Sequence, residues 1–186
     1  MKSKYFYILI FCSFLFCSCG EYTRILKSTD VDEKYDYAKV YYEKGKYTRS
    51  ATLLTDVVAV YRGTAEAVNA LYLLAMSHFK MKDYLSAGEY FARYCNLYPR
   101  GKRAEESRFN MAYGDYKDSP DARLDQEVTQ RAIKELDAFV EMYPRSELAD
   151  SATVMRYELV DKLCYKEYLS AKLYLNLGTY MGNNYE

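Results

Sequence analysis

The sequence predicts an all-α protein, an array of antiparallel helix pairs, on three observations. Stretches of the chain resemble one another at a constant step of 37 residues, the mark of stacked supersecondary units. Within each stretch apolar residues recur every three or four positions, as on one face of a helix. The 186 residues include only 3 Pro and 8 Gly, with 50% hydrophobic and 28% charged side chains, a composition that folds and rarely breaks a helix. That length holds one compact domain or a short array, and not two large enzyme domains. With 26 basic against 26 acidic residues, the basic excess of a nucleic-acid-binding protein is missing. One His and five Cys leave few ways to build a metal or nucleophile site, so no metal, cofactor or enzymatic activity is expected. Tyrosine is the outlier. Its 23 copies, with 8 Phe and no Trp, supply rings that pack on one side and hydrogen-bond on the other.

At the N-terminus, Lys2 and Lys4 precede an apolar run from Tyr5 to Phe16 broken only by Ser13, then Cys17, Ser18, Cys19 and Gly20. This is the layout of a signal peptide, too short to span a bilayer. Ser18 before Cys19 resembles a bacterial lipobox, although Phe16 and Cys17 depart from its commoner residues. The resemblance implies cleavage after residue 18, with diacylglycerol on the Cys19 thiol and a fatty acyl chain such as palmitate on its amine. Ordinary cleavage leaving Cys19 as a surface thiol is the alternative. Several acyl chains make attachment effectively permanent, each buried CH₂ contributing ~0.8 kcal/mol. Among lipoproteins, a Gly at position 20 rather than Asp implies the outer membrane. The lack of an acidic cluster directly after Cys19 implies the periplasmic face. Residues 19–31 then read as a tether and 32–186 as the repeat domain. Losing Lys2 and Lys4 leaves 24 basic and 26 acidic side chains, a formal charge of −2. Cys95 and Cys164 sit among apolar helical neighbours and read as buried thiols, with a disulfide permitted in an oxidising compartment.

The 37-residue step carries Ala38, Tyr41, Tyr42, Tyr47, Ser50, Leu54, Val57 and Tyr61 onto Ala75, His78, Phe79, Tyr84, Ala87, Phe91, Tyr94 and Tyr98. It also carries Ala67, Tyr72, Leu74, Ala75, Phe79 and Lys80 onto Ala104, Phe109, Met111, Ala112, Tyr116 and Lys117. In the middle unit Leu71, Leu74, Ala75 and His78 mark one helix, Met81-Lys82-Asp83 a turn, and Tyr84, Ala87, Phe91 and Tyr94 a second helix closed by Pro99. This resembles the tetratricopeptide repeat, a helix-turn-helix unit of ~34 residues, with three residues added at the exit turn. Small Ala75 and Ala87 fall where paired helices cross, and Tyr84 and Phe91 fill the neighbouring gaps. The resemblance implies a right-handed superhelix of antiparallel helix pairs.

A third pair follows at a step of 45, which carries Ala87, Phe91, Tyr94, Cys95, Tyr98 and Pro99 onto Ala132, Leu136, Phe139, Val140, Tyr143 and Pro144. The added length lies in Asp115 to Val128, where Asp118-Ser119-Pro120-Asp121 reads as a loop and Asp125 as the next helix's N-cap. Asp115, Asp118, Asp121 and Asp125 lack the alternating ligands and central Gly of a calcium loop, so packing and capping are the expected roles. From Glu147 no strong breaker occurs before Gly178, which predicts one long helix or two nearly continuous ones. Ala171, Tyr174, Gly178 and Tyr180 repeat Ala38, Tyr41, Gly45 and Tyr47, so a fourth unit is expected to begin there, its remainder lying beyond Glu186.

A lipidated cysteine, tetratricopeptide units ending in Tyr-Pro, an acidic insertion and a long following helix together resemble the BamD family of outer-membrane lipoproteins. The segments carrying this are Tyr94 to Pro99 and Asp125 through Ala132–Phe139 to Ser146, within a similarity running from about Asp32 to Tyr180. The resemblance implies five repeats, docking on the barrel-forming BamA subunit of the β-barrel assembly (BAM) machinery, and reception of unfolded outer-membrane proteins by their C-terminal signals.

In such an array the first helix of each pair lines the concave face. Positions one turn apart then give Tyr35, Lys39 and Tyr42; Tyr72, Met76, Phe79 and Lys80; Phe109, Tyr113, Tyr116 and Lys117. Rings and ammonium groups share one wall, suited to an extended segment that ends in an aromatic residue and a carboxylate. The competing reading packs the rings between helices and lets the lysines snorkel into water. His78 has no Cys or Ser partner in any catalytic pattern, and Glu105-Glu106 reads as a solvated helix start. The expectation is a non-enzymatic scaffold of barrel assembly. A tetratricopeptide lipoprotein of another envelope complex, such as cell-wall machinery, is the rival, and a lipid-anchored enzyme subunit lacks catalytic residues.

Overall fold

The computed structural model describes residues 20–182, with side-chain surroundings to residue 178. The expected leader and Cys19 lie outside these residues. The described residues are helical, in eight helices without a strand: α1 (20–27), α2 (Val31–Glu43), α3 (Tyr47–Val60), α4 (Ala65–Lys80), α5 (Tyr84–Leu97), α6 (Ala104–Asp118), α7 (Glu127–Met142) and α8 (Ala149–Gly182). The chain divides into two compact units, one to Lys82 and one from Asp83. The division falls in the turn of the middle repeat, where the repeat reading has a single domain.

Local chemistry explains the helix boundaries. Asp30 accepts from the Glu33 N–H at 3.0 Å, Thr64 from Ala67 at 3.3 Å and Asp83 from Ser86 at 3.2 Å, satisfying first-turn donors of α2, α4 and α5. Pro99 and Pro144 follow Tyr98 and Tyr143, and the residue before proline is pushed out of the helical region, so α5 and α7 stop there. Asp125 is not the N-cap of α7. Gln126 takes that position, and Asp125 one residue earlier accepts from the Glu127 N–H at 2.9 Å.

In the first unit α2, α3 and α4 pack in chain order, with α4 also touching α2. Their core holds Ala38, Tyr41, Leu53, Leu54, Val57, Leu71, Leu74 and Ala75. Where α2 and α3 cross, Ser50 donates to the Ala38 carbonyl at 2.8 Å, so a small polar residue is accommodated without an orphaned hydroxyl. Residues expected as tether instead form α1, because Ile25 is fully buried and Tyr22 meets the Tyr41 ring edge-on at 5.7 Å.

In the second unit α5 to α8 pack in sequence, and α6 also meets α8. Ala112, Ala132, Leu136, Phe139, Ala152 and Leu159 form the core, flanked by Phe109, Tyr116, Ile133, Val140, Tyr143, Leu148 and Met155. A Cβ on Gly114 would sit 3.4 Å from the Tyr84 Cβ, so α5 and α6 approach through that glycine. Helix α8 runs unbroken through Gly178, where the repeat pattern places a turn like that at Gly45. Gly45 has φ 70°, the left-handed region, and the Lys46 N–H bonds back to Tyr41 at 2.8 Å. Gly178 is held in the helical ladder, since an interior Gly costs only about 1 kcal/mol relative to Ala. Cys95 is buried as expected, and burial raises its thiol pKa. Cys164 is exposed, because α8 turns that face to solvent.

Candidate peptide-binding site

The first-unit residues expected on a binding face are largely engaged with one another. Tyr35 meets the Tyr61 ring edge-on at 6.1 Å, and burial raises its phenol pKa. Lys39 Nζ lies 4.5 Å above the Tyr35 ring and 2.8 Å from the Asp36 carboxylate. The hydrogen bond that Lys39 donates to Asp36 raises the Lys39 pKa and leaves its charge already matched. Tyr42 packs on Tyr47 at 5.5 Å. Tyr72 is only 4% exposed and cannot offer its ring to a ligand. Helix α4 packs on both α2 and α3, so its buried band is wider than one stripe and takes in Tyr72. Met76 and Phe79 are half-buried and Lys80 is exposed in the last turn of α4.

The second unit brings its expected residues together in a groove of about 460 Å³ between α6 and α8. Tyr113, Tyr116 and Lys117 form one wall, and Asp150, Ser151, Val154, Met155 and Glu158 the other. Phe109 stacks on Tyr113 with centroids 6.0 Å apart and meets Phe139 of the core edge-on at 5.4 Å, fixing the Tyr113 ring from behind. Lys117 Nζ lies 5.3 Å from the Tyr113 centroid and 5.5 Å from that of Tyr116, within cation–π range. Helical side chains lean toward the preceding turn, which brings this last-turn lysine back over both rings. Among the described residues no carboxylate lies within ion-pair distance of it. Across the groove the Tyr116 hydroxyl donates to the Glu158 carboxylate, and this bond, then burial, raises the Tyr116 pKa.

The α8 wall escaped the sequence reading, although a signal for it existed. The 45-residue step that relates α5 to α7 also carries Phe109 onto Val154 and Tyr113 onto Glu158. Val154 is 58% exposed, an apolar side chain facing solvent beside two rings.

The remaining polar residues serve the fold. Asp115 receives a two-pronged contact from Arg131 at 2.6 and 2.8 Å. Asp121 accepts from the Arg123 N–H at 3.0 Å. Among the described residues no three His, Cys, Asp or Glu side chains are grouped to hold a metal ion. His78, half-buried in the last turn of α4, sits where a cation complements the helix dipole.

Helix pairs packed in chain order within each unit define a helical repeat protein. A comparison with curated proteins found no match. The crystal structure of the apo form of RapI, a tetratricopeptide-like helical repeat protein, matches with a TM-score of 0.54 and 13% identity. The match covers 87% of this chain and spans 60% of RapI, and it shows the shared fold. The family described as outer membrane lipoprotein, YfiO, matches residues 27–183, and the chain belongs to that family. No described helix is long and apolar enough to cross a membrane.

Proposed function

We propose that the protein is a non-enzymatic scaffold of outer-membrane β-barrel assembly, acylated on Cys19 and held on the periplasmic face. In this reading it works beside a BamA-like barrel subunit and receives the C-terminal segments of unfolded outer-membrane proteins. One observation supports this site above the others: Lys117 lies over Tyr113 and Tyr116, opposite exposed Val154, with no matched carboxylate of its own. A terminal aromatic side chain packs against rings and aliphatic carbons, and its carboxylate meets the ammonium in a charge-assisted contact. Glu158 and Asp150 offer acceptors to the N–H groups of an extended segment.

The test is calorimetric titration with a peptide ending in phenylalanine, as the free acid and as the amide. Amidation should weaken binding at least tenfold, since contacts to a charged group contribute about 1.5–3 kcal/mol. Lys117→Ala should bring the acid down to the amide's affinity and leave the amide unchanged. Equal affinity of acid and amide for the native chain contradicts the assignment.

A further inference from the structure

One end of the first unit breaks three local rules of helix chemistry, each time by placing a cation. Lys46 is the N-cap of α3 and makes no capping bond, where Ser, Thr, Asp or Asn is preferred. Arg49 sits in the first turn of α3, where the helix dipole disfavours positive charge. Lys82 has φ 62°, a left-handed conformation that costs a non-glycine residue stability, and it stands one 37-residue step after Gly45, at φ 70°. Backbone strain and broken capping rules concentrate at functional sites.

The three residues share one place in the fold. The Thr48 hydroxyl lies 3.2 Å from Met81 Sδ, which brings the turn after α4 against the turn between α2 and α3. Residues 44–49 and 81–82 contain Lys44, Lys46, Arg49 and Lys82 and no acid. None of the four is in an ion pair among the described residues. Two acids flank them, Glu43 at the end of α2 and Asp83 directly after Lys82, the second engaged in capping α5. Arg49 stacks 4.9 Å from the Tyr22 ring, and its Nη1 is covered without a hydrogen-bond acceptor.

Helix α1 delivers the N-terminus to this same end. Arg24 pairs with Glu33 at 3.0 Å, Glu21 accepts from the Tyr37 hydroxyl at 3.0 Å, and Tyr22 lies on Tyr41. As the number falls along α1 it rises along α2, so the helices are antiparallel. Residue 20 therefore points toward the basic turns, with Cys19 directly before it.

We propose that this end of the first unit docks on an anionic phospholipid surface, the lysines and Arg49 meeting headgroup phosphates. Charge complementarity carries the choice of partner. Cys19 as the acylated residue carries the orientation, and to that extent the inference rests on the function proposed above. With Cys19 acylated, Gly20 at the start of α1 is the first described residue after the anchor, and it lies at the end of the unit that carries the basic turns. Tyr47 and Met81 supply the amphipathic and apolar side chains that suit a headgroup boundary.

The test uses the chain from Gly20 onward, which has neither leader nor lipid, so its outcome does not depend on acylation. Acylation is read separately, from the mass of the mature amino terminus. Pelleting with vesicles of phosphatidylcholine mixed equally with phosphatidylglycerol should capture the chain, and pure phosphatidylcholine vesicles should not. Replacing Lys46→Gln and Lys82→Gly together should weaken capture roughly 25-fold, about fivefold per charge removed. The Lys82→Gly change relieves the strained φ, so the melting temperature should hold or rise while binding falls, which a merely structural role does not produce. Equal capture by both vesicle types, or undiminished binding by the double variant, overturns the proposal. Displacement by millimolar inorganic phosphate, or equal binding to soluble polyglutamate, also overturns it, in favour of a phosphate site or a protein dock.

Discussion

Tyr116, Lys117 and Glu158 show how few atoms decide the chemistry of the α6/α8 groove. A hydroxyl ties one ring to the far wall, and an ammonium lies over two rings without a carboxylate. Sequence periodicity found Tyr113, Tyr116 and Lys117 because helical spacing determines which side chains share a face. It could not show that Asp36 already matches Lys39 or that Tyr72 is buried, since both depend on neighbours in space. Glu135 allows a test of electrostatics in the same unit. Burial, then Asp115, raises its pKa above the ordinary 4.5, outweighing Arg108 and Arg131. The folded chain thus holds this proton more tightly than the unfolded chain, and the contribution to stability falls as pH rises through that window. Glu135→Gln should therefore raise the urea midpoint at neutral pH, with the gain vanishing below the ordinary carboxylate range. A gain that persists in acid contradicts this.

The loop between α6 and α7 and helix α8 act as one element. Lys162 donates to the Ser119 hydroxyl at 2.7 Å and Lys166 to the Leu124 carbonyl at 2.8 Å. Ser119 and Thr129 hydroxyls lie 2.7 Å apart, and Thr129 donates to Gln126 Oε1 at 2.7 Å. Since Thr129 has one proton, Ser119 must donate to it, giving a relay directed from Lys162 to Gln126. Gln126 Nε2 closes the relay on the Asp121 and Leu124 carbonyls at 2.8 and 3.0 Å. Gln126→Ala should cost about 1–3 kcal/mol, the range for orphaned buried partners, and speed hydrogen exchange at residues 119–126. Unchanged exchange there shows that the loop is held by other contacts. The sequence marked the insertion as a loop by its Ser-Pro-Asp composition. It carried no sign of the anchoring, because Lys162 and Lys166 lie about forty residues away and are ordinary helix-surface residues until α8 packs on α7.

For the whole molecule, the 37- and 45-residue steps made the helix pairs legible. Within each compact unit, consecutive helices bury their apolar faces on one another, and the sequence repeats that apolar pattern. The eight helices of the described residues agree with the all-helical part of that reading. The division at Lys82 and the continuation of α8 through Gly178 were not legible, because they depend on the balance of packing between elements, for which no residue type is a marker. Together the proposals give the two units separate tasks, a cationic turn at a membrane in the first and an aromatic groove for an incoming chain in the second.

The most direct measurement is photo-crosslinking in living cells from a benzophenone amino acid at Val154, inside the groove, with one at exposed Val60 in the first unit as reference. Adducts joining Val154 to the C-terminal segments of unfolded outer-membrane proteins, and not Val60, are the expected result. Adducts equal at both positions, or absent from Val154 while barrel proteins accumulate unfolded, contradict the groove as their receiving site.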